Sequence, residues 1–220
     1  RVYLADFTDS LEKILLGAER KIMLSYEERE RTAYHESGHA LLGMLIPGAD
    51  PVRKVSIIPR GRALGVTFQA PSTDRYGYDA DYLRGRIIGA LGGRAAEQLI
   101  YGDVTTGAES DLEQVTRIAK QMVGRWGMSE AIGPVSVLPG PNDEPLLLPG
   151  TGPGGPSPKT QELIDSEVRK IIDECYVQAM SGLTANRDKR GSLTKALLEH
   201  ETLDEADAYD AAQLPRPVRE

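Results

Sequence analysis

The chain has 220 residues, of which 40 % are hydrophobic and 27 % charged, a composition typical of a folded globular protein. Its formal net charge of −7 argues against a nucleic-acid partner, and its single cysteine excludes an internal disulfide framework. The longest apolar run, residues 40–46, is too short to span a bilayer, and no secretory signal is visible, so we expect a soluble chain. Because residue 1 is Arg and not Met, we expect it to be part of a longer protein.

Two helices are predicted for the first part of the chain. Residues 6–24 carry apolar side chains at helical spacing, and Gly17 either weakens this helix or ends it. Ser25 and Glu28 have the spacing of a capping box, which predicts a second helix that runs to about residue 45. This second helix contains two of the three histidines of the chain.

A small β element is predicted in the middle of the chain, with helices after it. Residues 52–70 contain two β-rich runs separated by a turn with Pro and Gly, which indicates a strand pair. One helix rich in small residues is expected from residue 81 to about residue 101. Another is expected at about 108–126, where apolar residues recur at helical spacing.

The last part of the chain begins with a segment rich in Pro and Gly, at 139–158, which we expect to be a loop, with an edge strand within 134–158 as the alternative. Helices are expected at 159–186 and 189–200, and a short one begins near residue 202. The predicted fold class is therefore mainly α: a helical domain with a small β element at about residues 52–70.

An HExxH pattern, His35-Glu36-Ser37-Gly38-His39, lies inside the second predicted helix. Residues four apart share one face of a helix, so both imidazoles can point at one metal ion. Glu36 can then act as a base toward a water molecule without being a ligand. The alternatives are a chance match and two structural histidines, and the helical context favours zinc-peptidase chemistry.

A catalytic zinc ion usually has three protein ligands, and the pattern provides only two. The extended pattern with a third histidine fails because residue 45 is Leu, and His200 is expected to be a solvated surface residue. Asp111 lies on the apolar side of its predicted helix, where it is either a ligand or a helix cap. Glu97 is the other candidate. Its alternatives are an ion pair, with Arg94 or a neighbouring helix, and a supporting contact to a ligating histidine.

Four stretches of the sequence resemble the proteolytic domain of the FtsH family of membrane-anchored, ATP-dependent AAA zinc metalloproteases. They are RTAYHESGHALLGML (31–45), VSIIPRGRALGVTFQAP (55–71), LGGRAAEQLIYGDVTTGAESDLEQVTRIAKQMVGRWGMS (91–129) and ETLDEAD (201–207). The resemblance covers residues from about 6 to 210 and is far more specific than the HExxH pattern alone. It implies a zinc metalloendopeptidase.

Matching this chain to the family residue by residue assigns roles to the candidate residues. The resemblance implies that His35, His39 and Asp111 bind Zn²⁺ and that Glu36 is the catalytic base. Glu97 is expected near the site in a supporting role. An edge strand is expected to bind an extended substrate by adding it to the sheet, and a plain structural hairpin is the alternative. The residues of this strand are Leu64, Gly65, Val66, Thr67 and Phe68.

The resemblance also implies how the longer protein is organised. Its substrates would be unfolded or membrane-extracted proteins, its assembly a homo-hexamer, and ATP and Mg²⁺ would act only through an ATPase module absent from this chain. Membrane anchoring would come only from absent N-terminal segments, with this domain on the cytoplasmic side, as in a bacterial member. Residues 1–24 would lead out of the ATPase lid, 25–210 would form the peptidase domain, and 211–220 would be a tail.

A non-catalytic relative, acting as an oligomeric scaffold or chaperone, is the rival interpretation from another class. Such a relative would need a broken motif, and both histidines and the glutamate of the HExxH pattern are present here. A different metallohydrolase that uses the same zinc chemistry is a second rival.

Overall fold

Helices dominate the computed structural model of the chain, which describes residues 14, 17–20, 22–61, 63–71, 76–138 and 156–217. The helices of these residues are α1 (Tyr26–Leu45), α2 (Ala80–Ala90), α3 (Gly92–Tyr101), α4 (Glu109–Gly124), α5 (Pro158–Ala185), α6 (Arg187–His200) and α7 (Glu205–Ala211). The strands are β1 (Val52–Ser56), β2 (Val66–Gln69) and β3 (Thr202–Asp204). The predicted mainly-α fold class is confirmed.

Helix α1 begins at the capping box that the sequence predicts. The Ser25 hydroxyl accepts a hydrogen bond from the Glu28 amide at 3.2 Å, and the Glu28 carboxylate accepts one from the Ser25 amide at 3.1 Å. These two bonds satisfy amides that the first turn of a helix leaves without partners. Helix α1 then passes through the middle of the molecule, in contact with α2, α3, α5, α6 and the sheet. The HExxH residues therefore lie on the helix that contacts most of the other elements of the fold.

The prediction of a single helix over residues 81–101 is wrong, because the structure has two helices there, α2 and α3. Leu91 lies between them with φ −79° and ψ −7°, and its side chain is 2 % exposed. Gly92, the first residue of α3, lies so close to α1 that an added Cβ would be 2.5 Å from the carbonyl oxygen of Gly38. We infer that this tight contact fixes where α3 begins. The small residues in the sequence indicate close packing but do not indicate where the helix breaks.

The sheet has the strand order β2-β1-β3, and both pairs are antiparallel. The strand pair predicted within 52–70 is confirmed as β1 and β2, with Ser56 opposite Val66. The third strand was not predicted, since the chain near residue 202 was expected to be helical. Asp204 ends this strand and also caps α7 by accepting a hydrogen bond from the Asp207 amide at 2.9 Å. The short helix therefore begins at Glu205, and β2 forms an edge of the sheet.

The helix predicted over residues 6–24 is not present in residues 17–20 and 22–24. Gly17 has a φ of 85°, a conformation that glycine adopts far more readily than other residues. Glu19 instead bridges to Arg60, with an ion pair of 2.6 Å. Residues 1–13, 15, 16 and 21 lie outside the described residues, as do 139–155 of the expected loop and 218–220 of the tail.

The core of the domain is aliphatic, as the low aromatic content requires. Leu41 and Leu42 of α1 are among the largest buried side chains, together with Ile87 of α2 and Leu197 of α6. Helix α4 packs mainly against α2 and α5. None of the helices in the described part of the chain has the length and apolar character needed to cross a membrane.

Candidate metal centre

Three side chains from two helices converge at one point. The Nε2 atoms of His35 and His39 on α1 are 3.0 Å apart. The Oδ2 atom of Asp111, in the first turn of α4, lies 3.4 Å from Nε2 of His35 and 3.3 Å from Nε2 of His39. All three side chains are mostly buried, with 13, 13 and 20 % exposed. The structure thus brings together the three residues that the resemblance predicts as metal ligands.

The spacing of these three atoms fits a zinc ion. Zinc binds imidazole nitrogen and carboxylate oxygen at about 2.0–2.2 Å, and in a tetrahedral site this places the ligand atoms about 3.3 Å from one another. The observed separations of 3.0 to 3.4 Å match this geometry. Two imidazoles and one carboxylate are also a ligand set that zinc accepts while keeping a fourth position open.

The outer nitrogens of the two rings determine which tautomers face the centre. Nδ1 of His35 is 2.8 Å from Oε1 of Glu97, and Nδ1 of His39 is 2.9 Å from the carbonyl oxygen of Gly89. Because both partners are acceptors, each Nδ1 carries the proton and each Nε2 presents a lone pair. The Gly93 amide is also near Nδ1 of His39, at the longer distance of 3.4 Å. Two lone pairs and a carboxylate oxygen therefore meet at one point, an arrangement that needs a cation.

The electrostatics of the cluster also favour positive charge. Burial by itself lowers the pKa of His35, but hydrogen bonds to Asp111 and Glu97 outweigh it and raise the pKa to about 10. For Asp111, burial raises the pKa, yet hydrogen bonds from His35 and His39 bring it well below its usual range. The pKa of Glu97 is likewise lowered, because the hydrogen bond and charge of His35 exceed the effect of burial.

Glu97 connects the His35 ring to the segment that precedes Asp111. Its carboxylate is 2 % exposed and accepts hydrogen bonds from the amide and the hydroxyl of Thr105, at 3.1 and 3.0 Å. It also pairs with Arg31 of α1 at 3.3 Å, so the expected ion pair is with a neighbouring helix and not with Arg94. Thr105 leads through a 3-10 turn at Thr106–Ala108 directly into α4. Glu97 lies beside the three converging groups and is not one of them.

Glu36 points to the strand side of the cluster. It is 5 % exposed, and its Oε2 atom accepts a hydrogen bond from the Thr67 hydroxyl at 2.7 Å. Thr67 lies on β2, which pairs only with β1 among the described residues. The predicted substrate residues 64–68 thus include part of this edge strand, and they run past Glu36. His200 ends α6 and is exposed, and it does not belong to the cluster.

The sequence interpretation missed several residues that shape this centre. Gly93 is the clearest, since an added Cβ would lie 2.5 Å from Nε2 of both His35 and His39. The glycine pair in the sequence was interpreted only as a helix-packing signal. The contacts of Arg31 and Thr105 with Glu97 span 66 and 8 residues, so neither has the three- or four-residue spacing that a helix pattern reveals.

The fold and the cluster together define a class: a helical domain that carries an HExxH helix and a third, acidic ligand candidate, as in zinc peptidases. The comparison with known families identifies the particular family within this class. The chain matches peptidase family M41 over residues 22–210 and belongs to that family. The FtsH-type proteolytic domain expected from the sequence is thereby confirmed.

The chain is also similar to several curated bacterial proteins. It is 58 % identical to a protein of Conexibacter woesei named ATP-dependent zinc metalloprotease FtsH 3, over 98 % of this chain and 29 % of that protein. It is 57 % identical to the ATP-dependent zinc metalloprotease FtsH of Thermobaculum terrenum, over 91 % of this chain and 31 % of that protein. The same-named protein of Syntrophus aciditrophicus is 50 % identical, with coverages of 96 and 30 %. The chain therefore spans about a third of the length of the relatives it matches.

Proposed function

We propose that the chain is the zinc-dependent endopeptidase domain of an ATP-dependent protease. The observation that carries the proposal is the convergence of His35, His39 and Asp111 at zinc-like spacing, next to a buried glutamate. Membership in peptidase family M41 supports the same activity. His35, His39 and Asp111 would hold the metal, and Glu97 would orient His35 through Nδ1.

The residues of the chain divide the chemistry of peptide hydrolysis between them. Zinc, when bound, supplies a Lewis acid that polarises a carbonyl oxygen and makes water more acidic. Glu36 takes a proton from the attacking water and returns it to the amine nitrogen that leaves. Among the described residues β2 pairs only with β1, so its other edge can bind an extended substrate through backbone hydrogen bonds. The scissile bond would thus be held beside Glu36.

We propose that this domain works as part of a longer protein, since the chain covers 29 and 31 % of two relatives. The curated relatives are named as ATP-dependent, and we propose that an ATPase module, with Mg²⁺, delivers unfolded or membrane-extracted proteins to this domain. By family resemblance the assembly would be a homo-hexamer anchored in a membrane, with this domain on the cytoplasmic side. Residues 25–210 would form the peptidase unit, and residues 1–24 would connect it to the ATPase module.

A substitution of the proposed base tests the activity directly. Glu36→Gln keeps the size of the side chain and removes its ability to take a proton, so hydrolysis of a casein-like unfolded protein should fall by about a hundredfold or more. Zinc content, measured by atomic absorption on the same samples, should stay at the wild-type level. Glu113→Gln is a matched control, because Glu113 is exposed on α4.

The rival scaffold function predicts a different result in the same assay. A zinc-loaded wild-type chain that leaves unfolded protein intact, and behaves like the Glu36→Gln variant, would favour a non-catalytic role. Hydrolysis of small amides in preference to unfolded protein would favour a different metallohydrolase.

A further inference from the structure

We propose that Thr67 is a positioning residue for Glu36: it holds one carboxylate oxygen, so that the other one takes the proton. This inference rests on the proposed peptidase function and adds to it, because Thr67 was expected only to line the substrate strand. The hydroxyl of Thr67 is 2.7 Å from Oε2 of Glu36 and 3.2 Å from the Glu36 carbonyl oxygen. A hydroxyl has one proton to donate, and the shorter contact to the charged oxygen is the stronger of the two.

The second oxygen of Glu36 is in a different position. Oε1 has no hydrogen-bond partner among the described residues, and it faces Gly65. A Cβ added to Gly65 would lie 2.7 Å from Oε1 and 2.9 Å from the carbonyl oxygen of Ser56. Any side chain at position 65 would therefore occupy the space next to Oε1. Glycine at position 65 therefore lets the chain lie this close to the Glu36 carboxylate without a steric clash.

The position of Thr67 is set by the sheet and not by the metal ligands. Thr67 is paired with Val55 in the antiparallel register of β1 and β2, so the strand holds its hydroxyl in place. The contact crosses from the strand to α1 and restrains a glutamate side chain that otherwise has three rotatable bonds. A restrained base is already in the orientation that proton transfer needs.

The proton balance of the reaction follows from this assignment. Oε1 of Glu36 takes one proton from water as the new C–O bond forms, and it gives that proton to the amine nitrogen as the C–N bond breaks. The carboxylate ends as it began, still hydrogen-bonded to Thr67 through Oε2. One water molecule is added across one peptide bond.

Three substitutions of Thr67 test the inference on the zinc-loaded 220-residue chain with unfolded casein-like protein. Thr67→Val keeps the shape of the side chain and removes the hydroxyl, so kcat should fall about tenfold to a hundredfold, the effect of losing a hydrogen bond to a charged group. KM should change much less, because the backbone edge of β2 is unaltered. Thr67→Ser should restore most of kcat, and zinc content should be unchanged in both variants.

The controls separate a positioning role from a structural one. Thr184→Val removes a hydroxyl from an exposed threonine of α5 and should leave kcat unchanged. Should Thr67→Val fail to fold by circular dichroism, Thr67→Ala compared with Thr67→Ser gives the same contrast. Gly65→Ala should also lower kcat, since its methyl group would occupy the space beside Oε1.

Each outcome tests either the positioning role of Thr67 or the proposed peptidase function. Wild-type kcat in a folded Thr67→Val or Thr67→Ala variant would overturn the positioning role while leaving the peptidase function intact. A Thr67→Ser variant as slow as Thr67→Val would also overturn it, because the hydroxyl would then not be the active element. A wild-type chain without zinc-dependent hydrolysis would instead overturn the proposed function itself.

Discussion

Glu97 shows how a residue outside the three proposed ligands can set the geometry of the proposed metal site. One of its oxygens accepts the Nδ1 proton of His35, and the other accepts two hydrogen bonds from Thr105. Thr105 also accepts a hydrogen bond from the Gly107 amide at 3.2 Å, which closes the turn leading to α4. A single buried carboxylate therefore contacts both the His35 ring, a proposed ligand, and the turn before the helix that carries Asp111.

This arrangement predicts different effects for the two acidic residues. Asp111→Asn replaces the proposed anionic ligand by a neutral amide and should lower zinc affinity strongly. Glu97→Gln keeps all three ligands, so it should remain loaded at zinc concentrations that saturate the wild type and lose about ten- to a hundredfold in turnover. Competition with a coloured chelator measures both affinities. Unchanged zinc affinity in Asp111→Asn would refute the assignment of the third ligand.

The packing of helix α1 against helix α3 determines where the two histidines lie. Gly38 lies between Glu36 and His39 in the sequence and faces Gly92 of α3. An added Cβ at Gly38 would meet the Gly92 carbonyl group and would lie 2.8 Å from Cβ of Ala96. The two backbones therefore touch, and this close approach brings Gly93 against the imidazole rings.

This packing predicts that Gly38→Ala destabilises the fold. The new methyl group meets a backbone carbonyl, which cannot move aside as a flexible side chain can, so a loss of about 1–3 kcal/mol in the free energy of unfolding is expected. Gly191→Ala is the matched control, because an added Cβ at Gly191 meets nothing within 4 Å in the middle of α6. That change should stabilise by about 0.5–1 kcal/mol. Urea denaturation measures the free energy of unfolding of both variants. Equal changes in the two variants would contradict a close backbone contact between α1 and α3 at Gly38.

Sequence reasoning predicted the features of this molecule that depend on local patterns. The capping box at Ser25 and the period of α1 were enough to place both histidines on one helix face. The break at Leu91 and the strand β3 were missed, because each depends on what packs against it and not on its own residues. The hydrogen bond from Thr67 to Glu36 joins residues that are 31 apart, and no pattern of residue spacing in the sequence predicts it. Long-range contacts therefore set the details of the site that motifs do not provide.

At the scale of the whole molecule, the proposed metal ion would join two parts of the fold. The histidines lie on α1, which packs against α3 and α6, whereas Asp111 lies on α4, which packs mainly against α2 and α5. An ion bound by both helices would act as a cross-link at the start of α4. Any ligand that binds only the folded state also stabilises it by mass action.

Removal of the metal should therefore loosen the start of α4 and lower the melting temperature. At a zinc concentration a thousand times the Kd, bound metal contributes about 4 kcal/mol, which corresponds to roughly 10 °C for a chain of this size. Chelation should abolish this difference and raise amide hydrogen exchange over residues 103–111, where Glu97 and Thr105 support the turn. Asp111→Asn is the control, since its melting temperature should hardly respond to the chelator. If chelation changes neither the melting temperature nor the exchange, then no metal ion connects α1 to α4.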